Sequence, residues 1–237
     1  MKELVKEFEK EITKIEKKIK VTFGDKYFIL LAFIHRSYLN ENRRFKEHNE
    51  RLEFLGDAVL ELAVTEYLYR NYPNPEGELT NWRSALVKTE TISKTAKEIG
   101  LEEHLKLSRG EAKSTGRARQ LIMANAFEAV TGAIYMDQGL EGARGFIQKN
   151  LLVKLPKIIE TKAYIDAKSR FQEVVQDKEG ITPNYKVLSE EGPDHAKNFT
   201  MGAYIGEKMV GTGTGPSKQT AEQSAAADAL KNYEKEE

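Results

Sequence analysis

Apolar residues in the first two thirds of the chain recur at the three- or four-residue spacing of helices, with polar residues between them. The clearest such segments are residues 49–69 and 119–139. This helical spacing ends within residues 150–165, where Pro156 opens a short stretch that we interpret as a linker. The pattern therefore predicts an all-α region over residues 1–155.

A different pattern follows the linker, to which we assign residues 156–165. Helical spacing ends at Gly180, alternation typical of strands follows with a turn at Gly206, and a last helix begins with Ser217 as its N-cap. In chain order these segments are 166–180, 184–192, 198–215 and 217–233. The order α-β-β-β-α predicts a compact α+β unit over 166–235, so the fold class is multidomain, all-α followed by α+β.

The helix predicted over residues 49–69 carries four carboxylates on one side. At about 100° per residue they share a stripe about 80° wide. The acidic residues are Glu50, Glu53, Asp57 and Glu61, and the opposite side carries Leu52, Leu55, Val59 and Leu62. A solvated stripe is the simpler interpretation. The alternative is that the carboxylates bind a cation. Apolar residues at the borders of the stripe and the scarcity of basic partners favour this alternative.

The helix predicted over residues 119–139 has the groups that would complete a cation site. Its apolar residues include Leu121 and Phe127, and Asn125 and Glu128 lie three residues apart on one face. Packed against Glu53 and Asp57, they would form a pocket lined only by oxygen ligands. Such ligands suit Mg²⁺ or Mn²⁺ and not zinc, and such sites activate water and stabilise phosphoryl oxygens. Glu76, in a turn-rich segment, is placed to reach the same pocket from a loop.

Composition narrows the compartment and the class of partner. The chain has no cysteine, which excludes a disulfide framework and thiolate zinc sites and is typical of a reducing compartment. No apolar run approaches the roughly 20 residues of a membrane span, so we expect a cytoplasmic protein without a membrane partner. Lys plus Arg equal Asp plus Glu at 37 each, so bulk charge gives no attraction to nucleic acid. Any such function depends on local arrangement.

Four segments resemble blocks of the ribonuclease III family, in the same order. They are "IHRSY" (34–38), "NERLEFLGDAVLEL" (49–62), "PEGELTNWRSALV" (75–87) and "ANAFEAVTGAIYMDQG" (124–139). The resemblance implies an endoribonuclease that hydrolyses phosphodiester bonds of double-stranded RNA and leaves 5′-phosphates and short 3′ overhangs. It implies Mg²⁺ as cofactor, with Mn²⁺ able to substitute, no small-molecule cofactor, and roles in processing ribosomal RNA precursors and structured messenger RNAs.

The resemblance also assigns individual residues. The metal ligands would be Glu53, Asp57, Asn125 and Glu128, of which Asp57 and Glu128 are catalytic. Glu50 and Glu76 would lie beside the RNA, whereas Glu61 has no counterpart and is interpreted as a structural or solvated acid. Phe54 has two interpretations, core packing within one copy or, as the resemblance implies, insertion into the partner of a homodimer, and we adopt the second.

Asn125 departs from the family pattern, which has Asp at this position. An amide oxygen still ligates Mg²⁺, but it is neutral, so we expect the affinity for metal to be lower. This leaves an alternative function, a protein that binds duplex RNA but cleaves it poorly. A helical scaffold with an unrelated partner is a third possibility, but it leaves the acidic stripe unexplained.

The C-terminal unit resembles a double-stranded RNA-binding domain through "GPDHAKNF" (192–199) and "GTGTGPSKQTAEQSAAADAL" (211–230). Such domains recognise A-form shape more than sequence. The RNA contacts that the resemblance implies are Gln172, Glu173, His195, Ser217, Lys218 and Gln219. Residues 166–237 contain nine Lys and Arg against thirteen Asp and Glu, a net charge of −4. We therefore expect weaker and more salt-sensitive RNA binding than in a basic module.

Overall fold

A computed structural model describes residues 2–161, 167–193 and 197–233. The chain divides into two units, residues 1–164 and 165–237. Each unit has its own hydrophobic core. The first is helical and the second has the order α-β-β-β-α, so the predicted fold class is confirmed. Within the described part of the chain, every helix is too short or too polar to cross a membrane.

The N-terminal unit contains nine α-helices in its described residues. They are α1 (Lys2–Glu7), α2 (Glu9–Ile19), α3 (Lys26–Ala32), α4 (Tyr38–Glu41), α5 (Glu50–Asn71), α6 (Glu76–Val87), α7 (Thr89–Glu98), α8 (Gly116–Asn150) and α9 (Leu155–Glu160). Three short 3₁₀ helices occupy Glu102–His104, Glu111–Lys113 and Leu152–Lys154. The stretch predicted as a linker from residue 156 thus begins inside α9, and residues 162–166 lie outside the described chain.

Helices α5 and α8 form the centre of this unit. Both were predicted as helices, and α8 is longer than expected because it continues beyond Gly139, where φ 68° and ψ −166° interrupt the helical backbone. Val59 and Leu60 of α5 and Phe127 of α8 are buried in the core between the helices. Leu62 and Leu121, expected in this core, are instead 53% exposed each.

Loop segments fix where the helices begin. The Asp25 side chain accepts a hydrogen bond from the backbone N–H of Tyr27 at 2.9 Å and caps α3. Asp137 of α8 accepts hydrogen bonds from the backbone N–H groups of Gly24 at 3.0 Å and of Asp25 at 2.7 Å. This carboxylate therefore ties the middle of α8 to the start of α3, on the side from which the chain enters α5.

The C-terminal unit is a three-stranded antiparallel sheet with helices packed against it. Its elements are α10 (Ala167–Glu179), β1 (Asn184–Glu191), β2 (Asn198–Ile205), β3 (Lys208–Gly215) and α11 (Lys218–Tyr233), with strand order β1-β2-β3. Gly180 (φ 68°) ends α10 and Gly206 (φ 57°) forms the turn after β2. Ser217 Oγ accepts a hydrogen bond from Thr220 N at 3.2 Å, which confirms the predicted N-cap of α11.

The glycine-rich "GTGTG" (211–215) forms the second part of strand β3. Every second residue of this stretch is a buried glycine that faces α11. A Cβ added at Gly213 would lie 2.1 Å from Ala225 N, and one at Gly211 would lie 2.5 Å from Ala229 N. The glycines therefore allow an alanine-rich helix to rest directly on the strand.

Candidate metal centre

Two glycines bring the backbones of α5 and α8 into direct contact. A Cβ added at Gly56 would lie 1.8 Å from the carbonyl oxygen of Glu128, and one at Gly132 would lie 2.2 Å from the carbonyl oxygen of Leu52. No side chain fits at these distances, so both positions require glycine. Since Asp57 and Glu128 adjoin this contact, their carboxylates lie on neighbouring faces of the two helices.

The electrostatics of the predicted cluster show that its members interact. Burial is the main cause that raises the pKa of Glu128 to about 8, and the charges of Asp57 and Glu53 raise it further. The pKa of Glu53 is also raised, by burial first and then by Glu50 and Asp57. Crowded carboxylates of this kind are neutralised either by protons or by a cation.

Asn125 interacts with the same cluster. Its side-chain amide donates a hydrogen bond to the carboxylate of Glu53, which partly offsets the rise in the pKa of that group. The amide thus stabilises the negative charge of Glu53, whereas an aspartate at position 125 would add a second negative charge beside it. The oxygen of the same amide is still available as a neutral ligand.

The donor set fits a hard divalent cation, because carboxylate and amide oxygens are its preferred ligands. Within the described residues, no three His, Asp or Glu side chains are already arranged to hold an ion. The ligand chemistry of a divalent-cation site is therefore present on these two helices.

At the edge of the cluster, Glu50 has neighbours that the sequence analysis did not assign to the site. Glu50 begins α5, and its carboxylate lies 3.4 Å from Arg36 Nη1 and 3.8 Å from His48 Nδ1. His35 contacts Ser37 Oγ through Nδ1 at 2.8 Å, and burial lowers its pKa. The sequence signal for these residues was the motif "IHRSY", which contains His35 and Arg36. It supported the family resemblance, but it carried no physical argument for what the two residues do.

Glu76 is placed differently from the expectation. It is the first residue of α6, not part of a loop, and its carboxylate accepts a hydrogen bond from Thr80 Oγ1 at 2.9 Å. Together with Thr65 and Tyr69 it lines a separate pocket of 630 Å³. Thr65 is eight residues from Asp57, about 12 Å along α5, so the pocket that Glu76 lines is displaced along this helix from Asp57.

Phe54 is exposed on the same helix. Its residue is 82% exposed, which excludes core packing within one copy of the chain. A cavity of 720 Å³ lies beside it, with apolar lining from Phe28, Leu31, Leu55 and Met136. Glu61 is exposed, in line with its interpretation as a solvated acid.

In the C-terminal unit, the residues expected to contact RNA are exposed where the structure describes them. Gln172 and Glu173 lie on α10, while Ser217, Lys218 and Gln219 form the start of α11. His195 lies outside the described residues.

Comparison with known proteins agrees with both units. Residues 25–155 match a family model described as ribonuclease-III-like, and residues 167–233 match the double-stranded RNA binding motif. Ribonuclease 3 of Protochlamydia amoebophila is 43% identical over 93% of this chain and 91% of its own length. Ribonuclease 3 of Pelotomaculum thermopropionicum is 44% identical, over 93% of this chain and 92% of its own length.

A solved structure supports the N-terminal unit in the same way. The nuclease domain of ribonuclease III from Campylobacter jejuni is 36% identical, with a TM-score of 0.53, and covers 59% of this chain and 97% of its own. Together with the match of the first family model to more than half of the chain, these similarities show that the chain belongs to the ribonuclease III family.

Proposed function

We propose that this chain hydrolyses double-stranded RNA at the carboxylate cluster between α5 and α8. It is an endoribonuclease of the ribonuclease III type. The cofactor is Mg²⁺, with Mn²⁺ as a substitute. The products carry 5′-phosphates and short 3′ overhangs. In the cytoplasm its substrates are ribosomal RNA precursors and structured messenger RNAs.

The observation that carries the proposal is the close contact of the two helices. Because Gly56 and Gly132 allow the backbones to touch, Asp57 and Glu128 lie close enough for each charge to act on the other. The pKa of Glu128, raised to about 8, measures how poorly this site accepts negative charge without a counterion. A divalent cation removes that penalty, so the site is electrostatically suited to binding one.

Each residue has a definite task in this proposal. Asp57 and Glu128 hold the cation from opposite helices, and Glu53 and the amide oxygen of Asn125 complete the ligand set. The bound ion supplies Lewis acidity toward the phosphoryl oxygens. Glu50 at the rim accepts hydrogen bonds from ribose hydroxyls, and Arg36, whose Nη1 lies 3.4 Å from Oε1 of Glu50, orients its carboxylate.

The test is cleavage of a long RNA duplex with and without Mg²⁺, followed by mapping of the ends. Asp57→Asn and Glu128→Gln should each abolish cleavage while gel-shift binding persists. Glu61→Gln is the matched control, because it removes an exposed carboxylate from the same helix without touching the cluster. Cleavage that survives Asp57→Asn, or that proceeds without a divalent ion, contradicts the proposal.

The homodimer is part of the same proposal. Phe54 of each copy inserts into the cavity beside Phe54 of the other, against the apolar residues that line part of it, which buries a ring that one copy leaves in water. The solved nuclease domain from Campylobacter jejuni is described as having a region involved in dimer formation, which supports pairing here. Two copies would place two cation sites against opposite strands of one duplex.

Asn125 supports a second candidate, a duplex-RNA binder with impaired cleavage. Its amide donates to Glu53 and adds no charge to the ligand set. If a duplex is bound in a gel shift but yields no fragments with Mg²⁺ or Mn²⁺, the binder is the correct function. If Asn125→Asp then restores cleavage, the neutral ligand is the cause.

A further inference from the structure

Glu190, near the end of β1, lies between two lysines. Its Oε1 is 3.5 Å from Lys218 Nζ, and its Oε2 is 3.8 Å from Lys197 Nζ. The sheet register pairs Glu190 with Phe199 on β2, and Lys218 Nζ lies 5.7 Å from the centre of the Phe199 ring. The carboxylate and the ring together hold the Lys218 side chain against the sheet.

Lys218 is the first residue of α11 and, with Ser217 and Gln219, forms the exposed start of that helix. A lysine beside a helix N-terminus is suited to a phosphate group. In this chain the ammonium group already has an anionic neighbour, because the Glu190 carboxylate lies 3.5 Å from it. A phosphate that binds Lys218 must therefore displace this carboxylate or lie close to it.

We propose that Glu190 competes with the RNA backbone for Lys218 and thereby limits the affinity of the C-terminal unit for duplex RNA. The inference rests on the proposed RNA binding and adds a residue that sets its strength. The pair is displaceable, since the side chains of Lys218 and Glu190 are 57% and 38% exposed and exposed ion pairs are weak. The displaced carboxylate then repels the phosphate, which strengthens the effect in a unit whose net charge is −4.

The test is a titration of a labelled RNA duplex of about 20 base pairs, longer than the roughly 16 that such a domain spans, followed by fluorescence anisotropy. The full chain is used in EDTA, so that no divalent ion supports cleavage. Glu190→Gln should lower the Kd about threefold, as Coulomb repulsion between unit charges about 7 Å apart in water predicts. The gain should shrink as salt is raised, because the Debye length is already about 10 Å at 0.1 M.

Glu207→Gln is the matched control. Glu207 is 98% exposed in the turn between β2 and β3 and lies 3.9 Å from Lys186, so its removal changes the net charge of the unit equally. It should change the Kd much less than Glu190→Gln does. An equal gain from both variants would mean that net charge alone matters, and would overturn the specific role of Glu190.

A double-mutant cycle identifies the partner. In the background of Lys218→Gln, the gain from Glu190→Gln should be smaller, because no Lys218 ammonium is released and only the repulsion between the Glu190 carboxylate and the phosphate is removed. An equal gain in both backgrounds would overturn the competition for Lys218. Unchanged binding by Glu190→Gln alone, with an unchanged melting temperature, refutes the competition. Weaker binding also refutes it and indicates that Glu190 positions Lys218 for RNA. If the wild-type chain does not bind the duplex at all, the proposed RNA binding fails instead, which is a different result.

Discussion

Replacing Gly56 with alanine tests whether the contact between α5 and α8 holds the site together. The new methyl carbon would lie 1.8 Å from the carbonyl oxygen of Glu128, whereas non-bonded carbon and oxygen need about 3.3 Å. The helices must therefore separate locally by about 1.5 Å. Overpacking of this kind costs about 1–3 kcal/mol, and more where backbone is the obstacle. Alanine returns only about 0.5–1 kcal/mol of helix propensity.

The assay combines urea unfolding with metal-dependent cleavage of an RNA duplex. Gly56→Ala should lower the free energy of unfolding by about 1–3 kcal/mol and raise the Mg²⁺ concentration needed for half-maximal cleavage, since Asp57 and Glu128 move apart. Gly145→Ala is the control, because Gly145 is exposed on α8 and its added Cβ would meet nothing within 4 Å. That variant should be unchanged or slightly more stable. If Gly56→Ala is as stable and as active as Gly145→Ala, the contact does not organise the site.

Three other outcomes are expected. Asn125→Asp adds a charged ligand, so half-maximal cleavage should need severalfold less Mg²⁺, measured as cleavage rate against metal concentration; no change would exclude Asn125 from the ligand set. The pKa of Glu128 is raised to about 8 from an unfolded value of about 4.3, so the native state binds one proton more than the unfolded state between these two pH values. The free energy of unfolding, measured in EDTA, should therefore fall as the pH rises through this window. Glu128→Gln should reduce that fall. Phe54→Asp should halve the mass measured by light scattering, whereas Glu61→Gln should leave it unchanged.

Much of the candidate site could be predicted because its residues are close in sequence. Glu53 and Asp57 are one helical turn apart, and Asn125 and Glu128 nearly so, which places each pair on one face of its helix. The close contact between the backbones of α5 and α8 could not be predicted in the same way. Periodicity identifies a buried face but not the neighbour that covers it, and Gly56 has no side chain to mark a contact.

The wrong expectations have the same physical origin. Leu62 and Leu121 lie at the helical angles expected of core residues, yet each is 53% exposed. Helical periodicity does not show whether another element of the fold covers a given apolar side chain. Glu76 followed a turn-rich segment and was expected on a loop, but it begins α6. The pair Glu190 and Lys218 joins residues 28 positions apart, and its ends meet only through the sheet register and the start of α11.

The glycines of β3 also restrict how this chain can change over evolution. Since Gly211 and Gly213 meet the backbone of α11, any larger residue there would lift the helix from the sheet. The alternate residues Thr212 and Thr214 face solvent and are open to replacement. Divergence among descendants of this sequence should therefore concentrate on one side of the strand, while the packing of α11 against β3 is inherited unchanged.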